Sequence, residues 1–197
     1  MTGRTRTFVI ASLVSFCFSS CSESPIPRPK GYQRINIPEA SFSQVDLDCG
    51  LSLEKPQYSS VELIKSEKSG DACWFNLKFD RFNARLHCTQ VEVHDNLYDL
   101  MEDAQDMVFS HDIKANGISR IRISEDEHGT NGVLYHLGGP VATPLQFFVT
   151  DSSDYFVRGS LYFNHKPNAD STAPVVRRLL SDVEHVMRSI SWEQRGL

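Results

Sequence analysis

The sequence predicts an α+β domain, in which a mainly antiparallel sheet of about six or seven strands carries two main amphipathic helices. Short segments alternate apolar with polar residues between turn-forming residues, and two longer segments repeat apolar residues with the period of a helix. The order β-β-β-α-β-β-β-β-α favours antiparallel pairing. We expect one such domain over residues 39–197, with strands at 61–65, 73–79, 84–91, 118–123, 132–137, 145–150 and 155–163.

Turn-forming residues separate these strands. Asn116-Gly117 predicts a turn before the strand at 118, and Asn131-Gly132, the strongest hairpin signal in the chain, predicts one before the strand at 132. The run Asp151–Asp154 predicts the turn between the last two strands, where both carboxylates would cap the backbone. In the strand at 155–163, apolar and semi-polar residues alternate, so we expect one buried face.

Both helices show an apolar stripe that we expect to be part of the core. The first is predicted to be capped by Asp95 and Asn96, and its stripe is Leu97, Leu100, Met101, Ala104 and Val108. The second is predicted to open after Ser171-Thr172, with Pro174 in its first turn, and to end near Trp192. Its stripe is Val176, Leu179, Leu180, Val183, Val186 or Met187, and Ile190.

The amino terminus is typical of an exported lipoprotein. Arg4 and Arg6 precede an apolar run at 8–18, which is too short for a membrane-spanning helix of about 20 residues. The run ends in Ser19-Ser20-Cys21, so we predict a lipoprotein signal peptide at 1–20 and lipidation, including palmitate, at Cys21. The alternative is an ordinary cleaved signal followed by a chance cysteine.

Residues 21–38 are interpreted as the lipidated cysteine and a proline-rich tether. Pro25, Pro27 and Pro29 keep this stretch extended and out of helices and sheet interiors. Cleavage would leave 177 residues and, because residues 1–20 contain two arginines and no acids, a formal charge of −7. Such a charge argues against nucleic acid as a partner.

Three cysteines would remain beside Cys21 in an oxidising compartment. Cys88 alternates with Leu86 and Ala84 in a strand-like run, as a buried small hydrophobic residue would. Cys49 sits beside Gly50 in a loop-like stretch, and we favour a disulfide between Cys49 and Cys73 over one between Cys73 and Cys88.

Residue chemistry alone indicates no catalytic centre. Seven histidines are scattered without metal-binding spacing, and no Cys-x-x-Cys or phosphate-binding loop is present. Gly159-Ser160 lies within a predicted strand and is not a nucleophile elbow. We therefore expect no catalytic residue, no metal and no cofactor.

One region is unusually rich in polar residues that can make specific contacts: Gln146, Asp151, Arg158, Asn168 and Asp170. An arginine in mid-strand needs an acceptor if it is half-buried, and Asp151 and Asp170 are candidates. Asn168 and Asp170 could brace the turn into the last helix. Two interpretations stay open: a polar staple that joins hairpin to helix, or a recognition surface.

Several motifs resemble the gliding motility lipoprotein GldD family. They are Gln-Phe-x-x-Thr-Asp-Ser, Phe-x-Arg-Gly-x-Leu-Tyr-Phe and Pro-Asn-x-Asp-Ser-x-x-Pro, with Pro29-Lys30-Gly31-Tyr32-x-Arg34-Ile35, Cys73-Trp74-Phe75-Asn76 and His111-x-x-Lys114-Ala115. The resemblance runs from Cys21 to Trp192, in the order of the family. It adds His111 and Lys114 to the candidate interaction or structural residues.

The resemblance implies a noncatalytic lipoprotein of the gliding motility and type IX secretion apparatus. Its partners would be other proteins of that apparatus and, through the lipid anchor, the cell membrane or outer membrane, with the domain facing the periplasm. One alternative is an envelope hydrolase or small-ligand-binding lipoprotein with a site near Asp151 and Arg158. A third is a passive assembly scaffold without a localised binding site.

Overall fold

The computed structural model describes residues 35–64, 72–110, 115–124, 129–165 and 168–193. The predicted signal peptide, Cys21 and most of the predicted tether lie outside the described residues. Within those ranges the chain forms ten strands, two α-helices and one 3-10 turn, Asp80–Phe82. These are β1 Phe42–Leu47, β2 Leu51–Pro56, β3 Ser60–Ile64, β4 Cys73–Phe79, β5 Ala84–Glu92, α1 Leu97–Phe109, β6 Gly117–Ile123, β7 Asn131–Gly138, β8 Leu145–Thr150, β9 Tyr155–Phe163, α2 Ala169–Ser189 and β10 Ser191–Trp192.

The main sheet has seven strands in the order β3-β4-β5-β9-β8-β7-β6, and every neighbouring pair is antiparallel. The α+β prediction is therefore confirmed. All seven predicted strands are in this sheet, three of them (73–79, 145–150 and 155–163) with the predicted bounds. Helix α1 connects β5 to β6 at the far edge, and the chain returns through a meander to pair β9 with β5.

A second sheet of three strands, β1-β2-β10, is absent from the prediction. Strands β1 and β2 form a hairpin around a short turn in which Gly50 has φ +74° and donates its N–H to the Leu47 carbonyl at 3.1 Å. The third strand, β10, comes from the carboxyl end of the domain, where Ser191 pairs with Ser52 and Trp192 with Leu51 of β2.

The predicted turn at Asn131-Gly132 is wrong, because both residues lie inside β7. Gly132 pairs with Ile123 on one side and Val149 on the other. A Cβ atom at Gly132 would lie 2.5 Å from the Phe148 carbonyl oxygen. Glycine is needed here for close approach of two backbones rather than for a turn.

Helix α1 buries the predicted stripe, since Ala104 and Val108 are in the core with Leu97, Leu100 and Met101 packed beside them. Asn96 occupies the N-cap position, but its side chain makes no bond to the helix. Its Oδ1 atom accepts the His94 N–H at 2.9 Å instead, and Asp95 has φ +57°. The predicted capping by these two side chains is therefore wrong.

Helix α2 also buries the predicted stripe, but its ends differ from the prediction. It begins at Ala169, because the Asn168 side chain accepts the Ser171 N–H at 3.3 Å and acts as the N-cap. Pro174 therefore lies beyond the first turn. The helix ends at Ser189, and Trp192 belongs to β10.

Side chains from the two faces of the seven-stranded sheet enter two separate cores. One face packs against α2 and the β1–β2 hairpin, with Leu77, Phe79, Leu86 and Leu161 buried against Leu179 and its neighbours. The other packs against α1 through Phe148, Phe156 and Tyr135. Each helix thus covers one face of the sheet.

A disulfide joins Cys49 to Cys73, as predicted, with 6.1 Å between the Cα atoms. It ties the β1–β2 turn to the first residue of β4 and so links the two sheets. Gln90 supports it by donating Nε2–H to the Cys49 carbonyl at 3.3 Å and accepting the Trp192 indole N–H at 3.0 Å. Cys88 is a free, buried cysteine, and burial raises the pKa of its thiol.

Candidate functional site

Asp151 organises the turn between β8 and β9. Its Oδ1 atom accepts the backbone N–H groups of Ser153, Asp154 and Tyr155 at 3.1, 2.9 and 2.9 Å. This is the backbone-capping role that the sequence predicts for Asp151. Asp154 accepts only the Ser153 hydroxyl, at 3.2 Å, among the bonds described for its side chain.

Asn168 and Asp170 lie at the start of α2, at the end of β9 opposite the Asp151 turn. Asn168 caps the helix and its carbonyl accepts the Thr172 N–H at 3.0 Å, whereas Asp170 is exposed in the first turn. Each polar residue therefore serves its own local turn. His111 and Lys114 lie outside the described residues.

Arg158 and Gln146 point to the face of the sheet that α1 covers. The Arg158 Nη1 atom contacts the Met107 Sδ atom of α1 at 2.6 Å. Of the two predicted acceptors, Asp151 binds the β8–β9 turn, and Asp170 lies in the first turn of α2. Gln146 is buried and donates Nε2–H to the Thr143 hydroxyl at 3.0 Å. The structure does not join Arg158 to the hairpin turn or to the last helix, so the predicted single staple is not formed.

A row of polar residues crosses the sheet on this α1-side face. Consecutive registers place one such residue on each strand, from edge to edge. This polar row is Glu62, Asn76, His87, Ser160, Gln146, Tyr135 and Arg120. Residues opposite one another on antiparallel strands are close enough for their side chains to interact.

Direct hydrogen bonds connect the first three members of the polar row. Asn76 donates Nδ2–H to the Glu62 Oε2 atom at 3.0 Å, and its Oδ1 atom lies 2.8 Å from His87 Nδ1. Because the amide oxygen is an acceptor, His87 carries its proton on Nδ1. Asn76 is itself buried, so its polar atoms are satisfied within the row.

The pKa values of Glu62 and His87, two titratable members of the row, are lowered. The hydrogen bond from Asn76 lowers the pKa of the Glu62 carboxyl, and nearby Lys78 and Arg85 act in the same direction. Partial burial lowers the pKa of the His87 imidazole, with Arg85 adding to the effect. At neutral pH the row therefore carries an ionised Glu62 and a neutral His87.

Helix α1 lies over β8 and β9 and leaves β3, β4 and β5 uncovered. Glu62 is partly exposed and His87 is exposed there, with the buried Asn76 between them. We call the remaining part of this surface, on β3, β4, β5 and the second half of β9, the open face. Its residues are Glu62, Ile64, Trp74, Asn76, Lys78, Arg85, His87, Ser160 and Tyr162. Trp74 and Tyr162 are 39% and 40% exposed, and Tyr162 packs edge-on against His87 with ring centroids 5.5 Å apart.

A second polar cluster is buried on the opposite side of the sheet. The Tyr58 hydroxyl donates to Asp182, which is 1% exposed, and Arg178 Nε donates to the same carboxylate oxygen at 3.0 Å. Burial raises the pKa values of both Tyr58 and Asp182. The cluster joins the segment after β2 to α2, which is a structural role.

A groove of about 330 Å³ lies between the first half of α2 and the turn after β7. Mostly apolar atoms line it, and its polar side chains include His136, Asp170 and Arg177. Partial burial lowers the pKa of His136. This groove lies at the opposite end of the β8–β9 hairpin from Asp151.

Within the described ranges, no three His, Cys, Asp or Glu side chains are grouped so that they could hold a metal ion. In the same part of the chain, neither helix is long and apolar enough to cross a membrane.

A family model described as "Gliding motility lipoprotein GldD" matches residues 22–192. The match covers every described strand and both helices. The chain belongs to the gliding motility lipoprotein GldD family. Membership makes this GldD-family chain a membrane-anchored lipoprotein of gliding motility and confirms the resemblance seen in its motifs.

Comparison with curated proteins gives no match. Among solved structures, the chain is similar to the solution structure of cyanobacterial PsbP (CyanoP) from Synechocystis sp. PCC 6803. The similarity has a TM-score of 0.46 and 15% sequence identity, and it covers 80% of this chain and 95% of that one.

Sequence reasoning found Gln146 of the polar row, and also Arg158 on the same face, but it missed the other residues of the row and did not single out those of the open face. Glu62, Asn76, His87 and Ser160 are far apart in sequence, and only strand pairing brings them together. One signal was available, because each is a polar residue at an outward position of an alternating strand.

Proposed function

We propose that this GldD-family chain is a noncatalytic component of the gliding motility and type IX secretion machinery. The observation that carries the proposal is the family match over residues 22–192. In this proposal Cys21 is lipidated, the anchor lies in the cell membrane or outer membrane, and the domain meets its protein partners in the periplasm.

The contacts of the polar side chains support a binding role over a catalytic one. The Oδ1 atom of Asp151 accepts three backbone N–H groups, and Asn168 caps α2, so both side chains have structural roles in their turns. On the open face, aromatic and charged side chains lie on the surface of a sheet and not in a cleft. That composition is typical of protein interfaces, where Trp, Tyr and Arg supply most of the binding free energy.

Gene deletion tests the proposal directly. We expect the deletion strain to lose both surface spreading and secretion of cargo that carries a C-terminal type IX signal, and we expect the wild-type gene to restore both. Normal spreading together with normal secretion would refute the proposal. Lost spreading with normal secretion would refute the type IX part alone.

The variant Asp151→Asn separates this proposal from an envelope hydrolase with its site near Asp151 and Arg158. Asparagine keeps an oxygen that can accept the turn N–H groups but cannot act as a base or nucleophile. We expect the Asp151→Asn gene to complement the deletion fully. A stable Asp151→Asn protein that failed to complement would favour the hydrolase.

A further inference from the structure

We infer that the open face binds a short acidic segment of a partner protein, with its carboxylates on Lys78 and Arg85 and its apolar side chains between Trp74 and Tyr162. This inference rests on the proposed function, since the partner would be a protein of the same machinery. Three observations carry it: the charge of the open face, its aromatic residues and its size.

The charge of the open face is opposite to that of the chain. Although the chain has a net charge of −5, Lys78 and Arg85 are adjacent on paired strands of this face, and Arg158 stands at its border with α1. Among the described residues of the open face, Glu62 is the one acidic residue. Its Oε2 atom already accepts a hydrogen bond from Asn76 at 3.0 Å and lies 3.6 Å from Arg85 Nη1. The basic side chains therefore exceed the acidic ones, which favours an acidic partner.

The two aromatic side chains of the open face, Trp74 and Tyr162, are partly exposed and can contact a partner. Trp74 pairs across the strands with Ile64, so an exposed apolar pair lies at one corner. Tyr162 stands at the opposite corner, positioned by His87, which Asn76 fixes in turn. Rigid, half-exposed Trp and Tyr side chains beside arginine are the residues that dominate protein interfaces.

The size of the open face fits a segment rather than a whole domain. Four strands spaced by about 4.8 Å and three side-chain rows spaced by about 6.8 Å give a patch of roughly 14 Å by 14 Å. An extended chain crosses that distance with about four or five residues. The exposed acids of α1, which are Asp99, Glu102, Asp103 and Asp106, would repel acidic groups. The carboxylates of the segment would therefore lie on Lys78 and Arg85 and not beside the helix.

A membrane surface fits less well than a protein segment. An anionic lipid layer pressed onto the open face would meet the Glu62 carboxylate, which lies in the same row as Asn76 and His87. A polypeptide can place its acids on Lys78 and Arg85 and offer a donor to Glu62. Directed hydrogen bonding of this kind favours a protein partner.

Charge reversal in the full-length lipoprotein provides the first test. The double variant Lys78→Glu/Arg85→Glu should weaken partner binding about tenfold or more, because like charges would then face each other. Spreading and secretion should fall accordingly. The melting temperature should fall modestly, because Glu62 loses its contact with Arg85, but the protein should stay folded at the growth temperature. The matched control is Arg177→Glu/Arg188→Glu, which makes the same charge change at two exposed residues of α2, on the other face of the sheet. It should complement fully.

A neutral variant covers the case in which charge reversal impairs folding. Trp74→Ser/Tyr162→Ser removes the two aromatic anchors without adding charge and should also lose complementation. If either folded variant functions like the wild type, the open face is not a docking site. That result leaves the proposed function intact, because the proposed function fails only when the deletion strain itself spreads and secretes normally.

Photo-crosslinking in cells tests the identity of the occupant. A benzoylphenylalanine placed at Tyr162 should crosslink to a peptide of another protein with net negative charge, and one placed at Tyr98, which is 76% exposed on α1, should not give that product. A crosslink to a neutral or basic peptide would overturn the inference. So would a crosslink to lipid or to a second copy of this chain.

Discussion

Asp151 shows how one side chain shapes the end of a hairpin. It binds three successive backbone N–H groups of the β8–β9 turn, in a loop where Ser152 adopts φ +70°. The donors in this partly exposed turn would otherwise depend on water. The stability of the hairpin therefore depends on an acceptor oxygen at position 151.

We expect Asp151→Ala to lower the free energy of unfolding by about 1–2 kcal/mol, because several N–H groups lose their acceptor. Asp151→Asn should cost less, since its amide oxygen can replace Oδ1. Urea denaturation of the purified protein measures both. Asp154→Ala is the matched control and should stay near the wild-type value, and an equal loss from Asp154→Ala would contradict the assignment.

Gly159 is a second residue with a single structural requirement. It pairs with Phe147 on β8, and a Cβ atom at this position would lie 2.2 Å from the Phe147 ring. The ring therefore lies over the glycine, and the core of the α2 side is packed around that contact. This explains why glycine occupies the middle of a long strand.

Gly159→Ala should destabilise the protein by about 1–3 kcal/mol, because the buried Phe147 ring must leave its position. Gly138→Ala is the control, since its Cβ would meet nothing closer than 3.7 Å, and we expect it to change stability little. Thermal unfolding followed by circular dichroism compares them. Equal melting temperatures for the two variants would show that the ring can move at no cost.

At the scale of elements, the local sequence pattern correctly predicted those features that burial of one face imposes on a single helix or strand. The stripes of α1 and α2 and the alternation in β9 were assigned correctly, because burial of one face imposes these periods. The β1–β2 hairpin was missed because polar residues occupy much of both strands, so its apolar alternation is weak. Asn131-Gly132 was assigned to a turn because close backbone approach at Gly132 depends on a strand outside the local sequence.

The open face could not be predicted for the same reason. Its members come from β3, β4, β5 and β9, and a change of one residue in any register would turn a side chain to the other face. Gln146 and Arg158 were found because they lie near one another in sequence. Asn76 and His87 of the polar row become neighbours only through the pairing of β4 with β5.

The disulfide is the element-scale link between the two sheets. Cys49 and Cys73 are 24 residues apart, so their bond restricts a loop of the unfolded chain. We expect Cys49→Ser/Cys73→Ser to lower the free energy of unfolding by about 3 kcal/mol. Denaturation with and without a reductant measures this, and the reduced wild type should approach the double variant.

Cys88→Ala is the matched cysteine control. It removes a buried sulfur that packs in the core but takes no part in the disulfide, so it should cost about 1 kcal/mol and keep the response to reductant. A wild type whose stability is unchanged by reductant would contradict the contribution assigned to the bond.

At the scale of the whole molecule, anchoring and folding are separate properties. The strands, helices and disulfide all lie between residues 42 and 192, whereas the predicted lipid is on Cys21. Binding by the open face would depend on both, because a tether keeps the domain near other membrane-bound components and raises its effective concentration there.

Cys21→Ser should therefore release the protein from the membrane without unfolding it. Two or more acyl chains hold a protein stably on a bilayer, and loss of the acceptor thiol removes them all. Fractionation should show the variant in the soluble fraction, with an unchanged melting temperature and with spreading lost. Cys17→Ser is the control, since residue 17 belongs to the predicted signal peptide, and it should stay membrane-bound and active. A Cys21→Ser protein that stayed in the membrane pellet would refute lipidation at Cys21, and a released but fully active protein would show that the domain works without its tether.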